Sequence, residues 1–150
     1  MAVKPIPDGY QRVIPYVITE DAEGLLRFLK GAFGATEKGV NRDPSGNIFH
    51  GEVIIGDSVV MFSQATDRHP AMPCTIYVYV PDTDATYRAA LAAGATSVME
   101  PANQFYGDRN AGVKDASGNQ WWMGTHVEDV PEDELARRQA EELKKRAAAQ

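Results

Sequence analysis

Residues Asn47 to Gln64, NIFHGEVIIGDSVVMFSQ, carry the clearest alternation of apolar and polar positions in the chain. Successive side chains of a strand point to opposite faces, so Phe49, Val53 and Ile55 are predicted on one side and His50, Glu52 and Ile54 on the other. Gly56-Asp57 supplies the backbone freedom of a tight hairpin turn, and the return strand Ser58 to Ser63 sets Val60 and Phe62 against Val59, Met61 and Ser63. The pattern predicts a hairpin with one apolar, packed face and one mixed, open face.

Upstream, Arg12 to Thr19 is rich in β-branched and aromatic residues and is predicted as a strand, which Pro15, having no N–H to donate, places at an edge or turns out of the ladder at that position. Thr19 or Asp21 caps a helix over Ala22 to Phe33, in which Leu25, Leu26, Leu29 and Phe33 recur at helical spacing before Gly34 ends it. A strand over about Thr36 to Asn41 and the turn Asp43-Pro44-Ser45-Gly46-Asn47 lead into the hairpin. After the polar connector Gln64 to Met72 the order begins again. Thr75 to Val80 is a strand, and Asp82 or Asp84 caps a helix to Ala93 with Tyr87, Ala90 and Leu91 facing inward. Ser97 to Glu100, Ala111 to Lys114 and Gln120 to Thr125 are strands, with Phe105 to Arg109 in the loop after the first of them.

The duplication is visible locally. Gly34-Ala35-Thr36 recurs as Gly94-Ala95-Thr96, and Asp43-Pro44-Ser45-Gly46-Asn47 is echoed by Asp115-Ala116-Ser117-Gly118-Asn119. The expected architecture is α+β: two βαβββ modules, at about 10–64 and 74–127 within a domain over 1–130, forming a curved mixed sheet around a cleft. Residues 131–150 form a charged helical tail in which Glu134 with Arg138 and Glu141 with Lys145 fall four apart.

Composition narrows the functional classes. A net charge of -6 and a pI near 5.0, with no basic run, argue against nucleic-acid and anionic-membrane partners. The single cysteine, Cys74, cannot form an internal disulfide. No segment approaches the roughly 20 apolar residues of a membrane span, and the opening MAVKPIPDGY has no apolar signal core, so the expected location is cytoplasmic.

The repeated order of elements, with PYVITED, FGAT, HGEVIIGDSVVM, AAGATSVMEP, FYGDRNAGVKDASGNQWW and THVED, resembles the vicinal oxygen chelate superfamily over about Pro5 to Asp129. That group includes glyoxalase I, bleomycin-resistance proteins, fosfomycin-resistance enzymes and extradiol dioxygenases. Within it the motifs look most like the PhnB-like branch. The resemblance implies a homodimer, and in the family's metal enzymes four His, Gln or Glu ligands on the first and last strands of each module. Carried over by spacing, those positions fall on Ile14, Met61, Thr75 and Trp122. Ile and Trp offer no lone pair to a hard cation and Met prefers soft ions, so the standard metal site is expected to be absent.

If these positions face the family's cavity, parity sends Tyr16, Ser63, Tyr77, Tyr79 and Gln120 the same way. Val13, Val17, Val60, Phe62, Ile76, Val78, Val80, Trp121 and Met123 then form the helix-covered core. The candidate ligand-binding set is Tyr16, Met61, Ser63, Thr75, Tyr77, Tyr79, Phe105, Tyr106, Gln120 and Trp122. Rings with polar handles suit a wall that stacks on a flat ligand; the alternative is that the same rings fill the concave face or a dimer contact. His50 and Glu52, two apart on one strand, are the candidate catalytic pair, a base with its orienter or half of a displaced metal site, or else they satisfy one another across the sheet. His69 and His126 are expected to be structural or solvated. Asp108 and Arg109 are expected to pair at the cavity mouth, and Asn119 stands where the branch often has His. Cys74 has no predicted His neighbour and is not a nucleophile candidate. Three functions remain open: a small-molecule binding or sequestering protein with an aromatic cleft and no cofactor; a glyoxalase-like lyase or isomerase using Glu52 and His50, with or without a divalent metal; or an interaction domain whose aromatic face is a dimer interface.

Overall fold

The computed structural model describes residues 2–150. The chain order is β1 (Tyr16–Thr19), α1 (Ala22–Phe33), β2 (Thr36–Arg42), β3 (Ile48–Ile55), β4 (Ser58–Gln64), then β5 (Thr75–Tyr79), α2 (Thr83–Ala92), β6 (Thr96–Asn103), β7 (Asp108–Lys114), β8 (Gln120–His126), and finally α3 (Glu132–Ala148). Each βαβββ unit makes a four-stranded sheet, ordered β1-β4-β3-β2 in the first and β5-β8-β7-β6 in the second. The first strand of each unit runs parallel to the last, and all other neighbours are antiparallel.

The helices form where capping and apolar spacing agree. Asp21 accepts the Gly24 amide and Asp82 accepts that of Ala85, while Gly34, at φ 62°, closes α1 in the left-handed region. Leu25, Leu26, Phe28, Leu29 and Ala32 bury the inner stripe of α1. In α2 the buried positions are Thr83, Tyr87 and Ala90, whereas Leu91, expected inside, is 37 % exposed. The two helices pack on each other and on the inner sheet faces, giving one core shared by both units. Its centre is Trp121, fully buried, with its ring centroid 6.0 Å from that of Phe28 and 5.6 Å from that of Phe33. Among the described residues no strand of one sheet pairs with a strand of the other. The helix-free face of each sheet is therefore left open.

Several expectations need correction. β1 begins at Tyr16 rather than Arg12: Met61 donates to the Pro15 carbonyl at 2.9 Å, but Pro15 has no N–H with which to extend the ladder. Val13, placed in the core by parity, is consequently 81 % exposed. Phe49 is 72 % exposed because β3 bulges there: Asn41 pairs with His50 and the next residue, Arg42, with Ile48, so Ile48 takes the buried position. β7 starts at Asp108, so Asp108 and Arg109 are strand neighbours pointing to opposite faces and do not pair. Arg109 instead grips Asp84 at 2.6 and 2.8 Å. On α3, Glu141 pairs with Arg137 rather than Lys145, while Glu134 and Arg138 do pair. That helix buries no residue and is tied down by Arg138, which reaches Glu128 and the Phe105 carbonyl.

Candidate functional site

The open face of the first sheet is set by register: Tyr16 lies beside Met61, Met61 beside Glu52, and Ile18 beside Ser63. His50 and Glu52 project together, as alternation requires, and Glu52 Oε1 lies 3.1 Å from His50 Nε2. The contact continues in both directions. Tyr10 Oη donates to Glu52 Oε2 at 2.6 Å, and Tyr16 Oη lies 3.1 Å from His50 Nδ1. With a neutral ring, Nε2–H donates to the carboxylate and Nδ1 accepts from Tyr16, so Glu52 fixes the tautomer and Tyr16 engages the basic nitrogen. Burial alone would raise the Glu52 carboxyl, but the hydrogen bonds from Tyr10 and His50 outweigh it and hold the group below its ordinary range. The same bond to Glu52 raises the Tyr10 hydroxyl.

The Tyr16 and His50 end of this row lines a hollow of about 970 Å³, together with Ile18, Ser63, Phe49 and His69 and the acidic residues Glu20, Asp21 and Asp43. The bulge that removed Phe49 from the core delivers it here. Tyr10 escaped sequence reasoning because it is an isolated aromatic in a proline-punctuated stretch with no period. Its neighbour Gln11 holds that stretch in place by bonding both the carbonyl (2.7 Å) and the amide (3.1 Å) of Val59.

The open face of the second sheet holds Thr75, Tyr77 and Tyr79 of β5 abreast of Gln120, Trp122 and Gly124 of β8. Two glycines let the rings lie against the sheet. A Cβ on Gly112 would meet the Trp122 ring at 2.9 Å, and one on Gly124 would meet the Tyr77 hydroxyl at 2.0 Å. Trp122 Nε1 donates to Gln120 Oε1 at 3.2 Å. Below the tyrosines is Asp108, only 4 % exposed, whose carboxylate accepts from Tyr79 Oη at 2.8 Å and Tyr77 Oη at 3.4 Å and contacts His126 Nδ1 at 2.9 Å. His126 Nε2 reaches Asp129 at 2.8 Å. Burial would raise Asp108, but the bonds from His126 and the tyrosines outweigh it and lower the group; Asp129 and then Asp108 raise His126. Bonding to Asp108 pushes the Tyr79 hydroxyl up to about 12. Asn110, on the same face, donates to Tyr106 Oη at 2.6 Å while its own Oδ1 has no partner. Phe105 meets Tyr106 edge to face at 5.2 Å.

The structure thus brings Tyr16, Ser63, His50 and, through hydrogen bonding, Glu52 to one face, with Met61 between Tyr16 and Glu52. Thr75, Tyr77, Tyr79, Gln120 and Trp122 share the other, with Tyr106 reaching it through Asn110. Within one chain the hollow contains none of this second group. Asp108 and Asn110 were missed as site residues because the segment read as a loop, although the run from Asp108 to Val113 continues the strand parity of Ala111 and Val113. Cys74 donates to Asn119 Oδ1 at 3.5 Å, and burial raises its thiol, which fits a structural residue. The residues present do not fit the metal of the family's enzymes. Thr75 and Trp122 stand on the second face, Met61 on the first and Ile14 ahead of β1, and among the described residues no three His, Cys, Asp or Glu side chains converge for an ion.

The sequence pattern of the Glyoxalase/Bleomycin resistance protein/Dioxygenase superfamily matches residues 11–123. The chain belongs to that superfamily. It is 33 % identical over 135 residues to an uncharacterised protein of Mycobacterium bovis, covering 81 % of this chain and 87 % of the relative. Among solved structures it is similar to TioX from Micromonospora sp. ML1, with a TM-score of 0.65, 22 % identity, and coverage of 78 % of this chain and 99 % of that one. A glyoxalase/bleomycin resistance protein/dioxygenase family enzyme from Burkholderia phytofirmans PsJN superposes with a TM-score of 0.61 at 19 % identity, covering 76 % of this chain and 97 % of that one. At these identities the structural likenesses establish the fold alone.

Proposed function

We propose that this chain is a small-molecule binding protein of the PhnB-like branch, holding or sequestering a flat metabolite or antibiotic against its aromatic open faces without the family's metal. The observation that carries this reading is the pair of glycine-backed rings, Tyr77 over Gly124 and Trp122 over Gly112, beside tyrosines left 43 to 66 % exposed. Large rings seated on bare backbone at a solvent-facing surface offer stacking area at low conformational cost. A homodimer is the natural completion, since β1 and β5 are free sheet edges and both open faces carry exposed rings. Trp121 is sealed in the core, so quenching by a bound aromatic reports Trp122. Titration with a panel of planar aromatics should quench the native protein, and Tyr77→Ala, which keeps the Trp122 reporter, should abolish the quenching. Quenching unchanged in that variant would refute the reading.

One observation favours a second reading, a lyase or isomerase: the Glu52-His50-Tyr16 chain is arranged as a base with its orienter. Under it, Glu52→Gln should lower turnover in a glyoxalase-type assay by about 10²–10⁴, the usual worth of a positioned general base. An indifferent variant removes this reading and leaves the binding one standing.

A further inference from the structure

We propose that Asp108, Asn110, Tyr77, Tyr79 and Tyr106 form a recognition site for an organic cation carrying N–H donors, a protonated amine or amidine. The proposal rests on the reading of the second sheet's open face as a ligand wall and names what that wall selects.

Three independent features converge. The Asp108 carboxylate is buried, yet the hydroxyls that satisfy it belong to rings that are 43 % (Tyr77) and 66 % (Tyr79) exposed. A phenol donating to a carboxylate keeps its oxygen lone pairs and an electron-rich ring, which is what a cation meets favourably. The two rings meet edge to face at 64° with centroids 5.3 Å apart, presenting one continuous aromatic surface above the carboxylate.

The second feature is Asn110. It is 4 % exposed, its Nδ2 is engaged by the Tyr106 hydroxyl, and its Oδ1 has no donor. Buried carbonyl oxygens are nearly always paired, so an orphan acceptor beside a carboxylate calls for an incoming N–H. Tyr106, 39 % exposed, holds the other end of that amide from the turn in which Gly107 takes φ 97°.

The third is charge. Asp108 and Asp129 flank His126, so the cluster stays negative by one even when His126 is protonated. The nearby arginines do not offset this: Arg109 is held by Asp84 on the opposite face, and Arg138 by Glu128 and Glu134. An anion is repelled here, and a neutral ligand leaves the charge unmatched.

The test titrates the isotopically labelled full chain with benzylammonium, benzyl alcohol and benzoate, three probes of similar shape, and follows the ring signals of Tyr77, Tyr79, Tyr106 and Trp122 by NMR. Benzylammonium should shift these signals and bind at least about tenfold more tightly than benzyl alcohol, with benzoate weaker still, the difference a desolvated cation–π contact supports. Asp108→Asn keeps the shape and removes the charge, and should cancel that preference. Asn110→Leu removes the orphan acceptor together with the bond to Tyr106 Oη and should weaken benzylammonium while keeping the folded-state ring signals of Tyr77, Tyr79 and Trp122, which keeps the test valid if the Asp108 variant fails to fold. Equal binding of benzylammonium and benzyl alcohol would overturn cation selectivity but leave the aromatic wall in place. No shift on this face with any probe would overturn both.

Discussion

The duplicated turn offers a controlled comparison, because one sequence device occurs twice at different depths. In the second unit, Asp115 Oδ1 accepts from the Ser117 and Asn119 amides, both at 3.0 Å. Its Oδ2 accepts from Asn119 Nδ2 at 2.9 Å and Trp121 Nε1 at 3.0 Å. Asn119 and Trp121 are at most 1 % exposed, so Asp115→Ala strands two buried side-chain donors where water does not reach them. At about 1–3 kcal/mol for each unsatisfied donor, with the lost turn amides added, the loss should be about 4 kcal/mol. In the first unit Asp43 accepts the same two amides, from Ser45 at 2.8 Å and Asn47 at 3.0 Å, but no indole, and its surroundings are exposed. Water replaces the carboxylate there, and Asp43→Ala should cost about 1 kcal/mol or less. Urea unfolding followed by fluorescence should lower the midpoint by about 2 M for Asp115→Ala, taking a slope near 2 kcal/mol/M, and by under about 0.5 M for Asp43→Ala. Equal losses at the two sites would refute the argument that burial of Trp121 and Asn119 sets the penalty.

Gly51→Ala should destabilise by about 1–3 kcal/mol, because a Cβ there would lie 2.2 Å from Cζ of the fully buried Phe62, whereas Gly39→Ala, with nothing within 4 Å, should change the urea midpoint little. His126 is raised by Asp129 and Asp108, so its contribution is fully present below the ordinary histidine value near 6.5 and is lost as pH rises through the raised folded value. Asp108 is lowered, so its contribution is present above its ordinary 3.8 and is lost as pH falls through the lowered value. The stability gap between the native chain and His126→Gln should therefore be wider at pH 6 than at pH 9 in urea titrations, and equal gaps would contradict the pairing.

The regular elements were legible in the sequence because their signals are local. Helix α1 announces itself by Asp21, the leucine spacing and Gly34, and the hairpin by Gly56-Asp57 between alternating runs. Departures arose where tertiary pairing overrode parity. The bulge opposite Asn41 and Arg42 depends on how β2 meets β3, which no single strand encodes, and it moved Phe49 from core to wall. β7 was shortened because Gly107-Asp108-Arg109-Asn110 has turn composition, yet Asp108 and Asn110 are buried by the partner strand and the tyrosines above them. Of the candidate site, the His50-Glu52 contact followed from alternation alone. The Tyr10 end of that row and the Asp108-His126 contact join residues 42 and 18 positions apart, and these depend on the assembled fold.

The central claim, an aromatic binding face in place of the family's metal centre, is tested most directly by elemental analysis of the purified protein alongside its mass in solution. No stoichiometric transition metal and a mass of twice the 16.4 kDa chain are expected. One zinc, nickel, manganese or iron per chain would contradict that claim, and would make His50 and Glu52 the first residues to substitute as ligands.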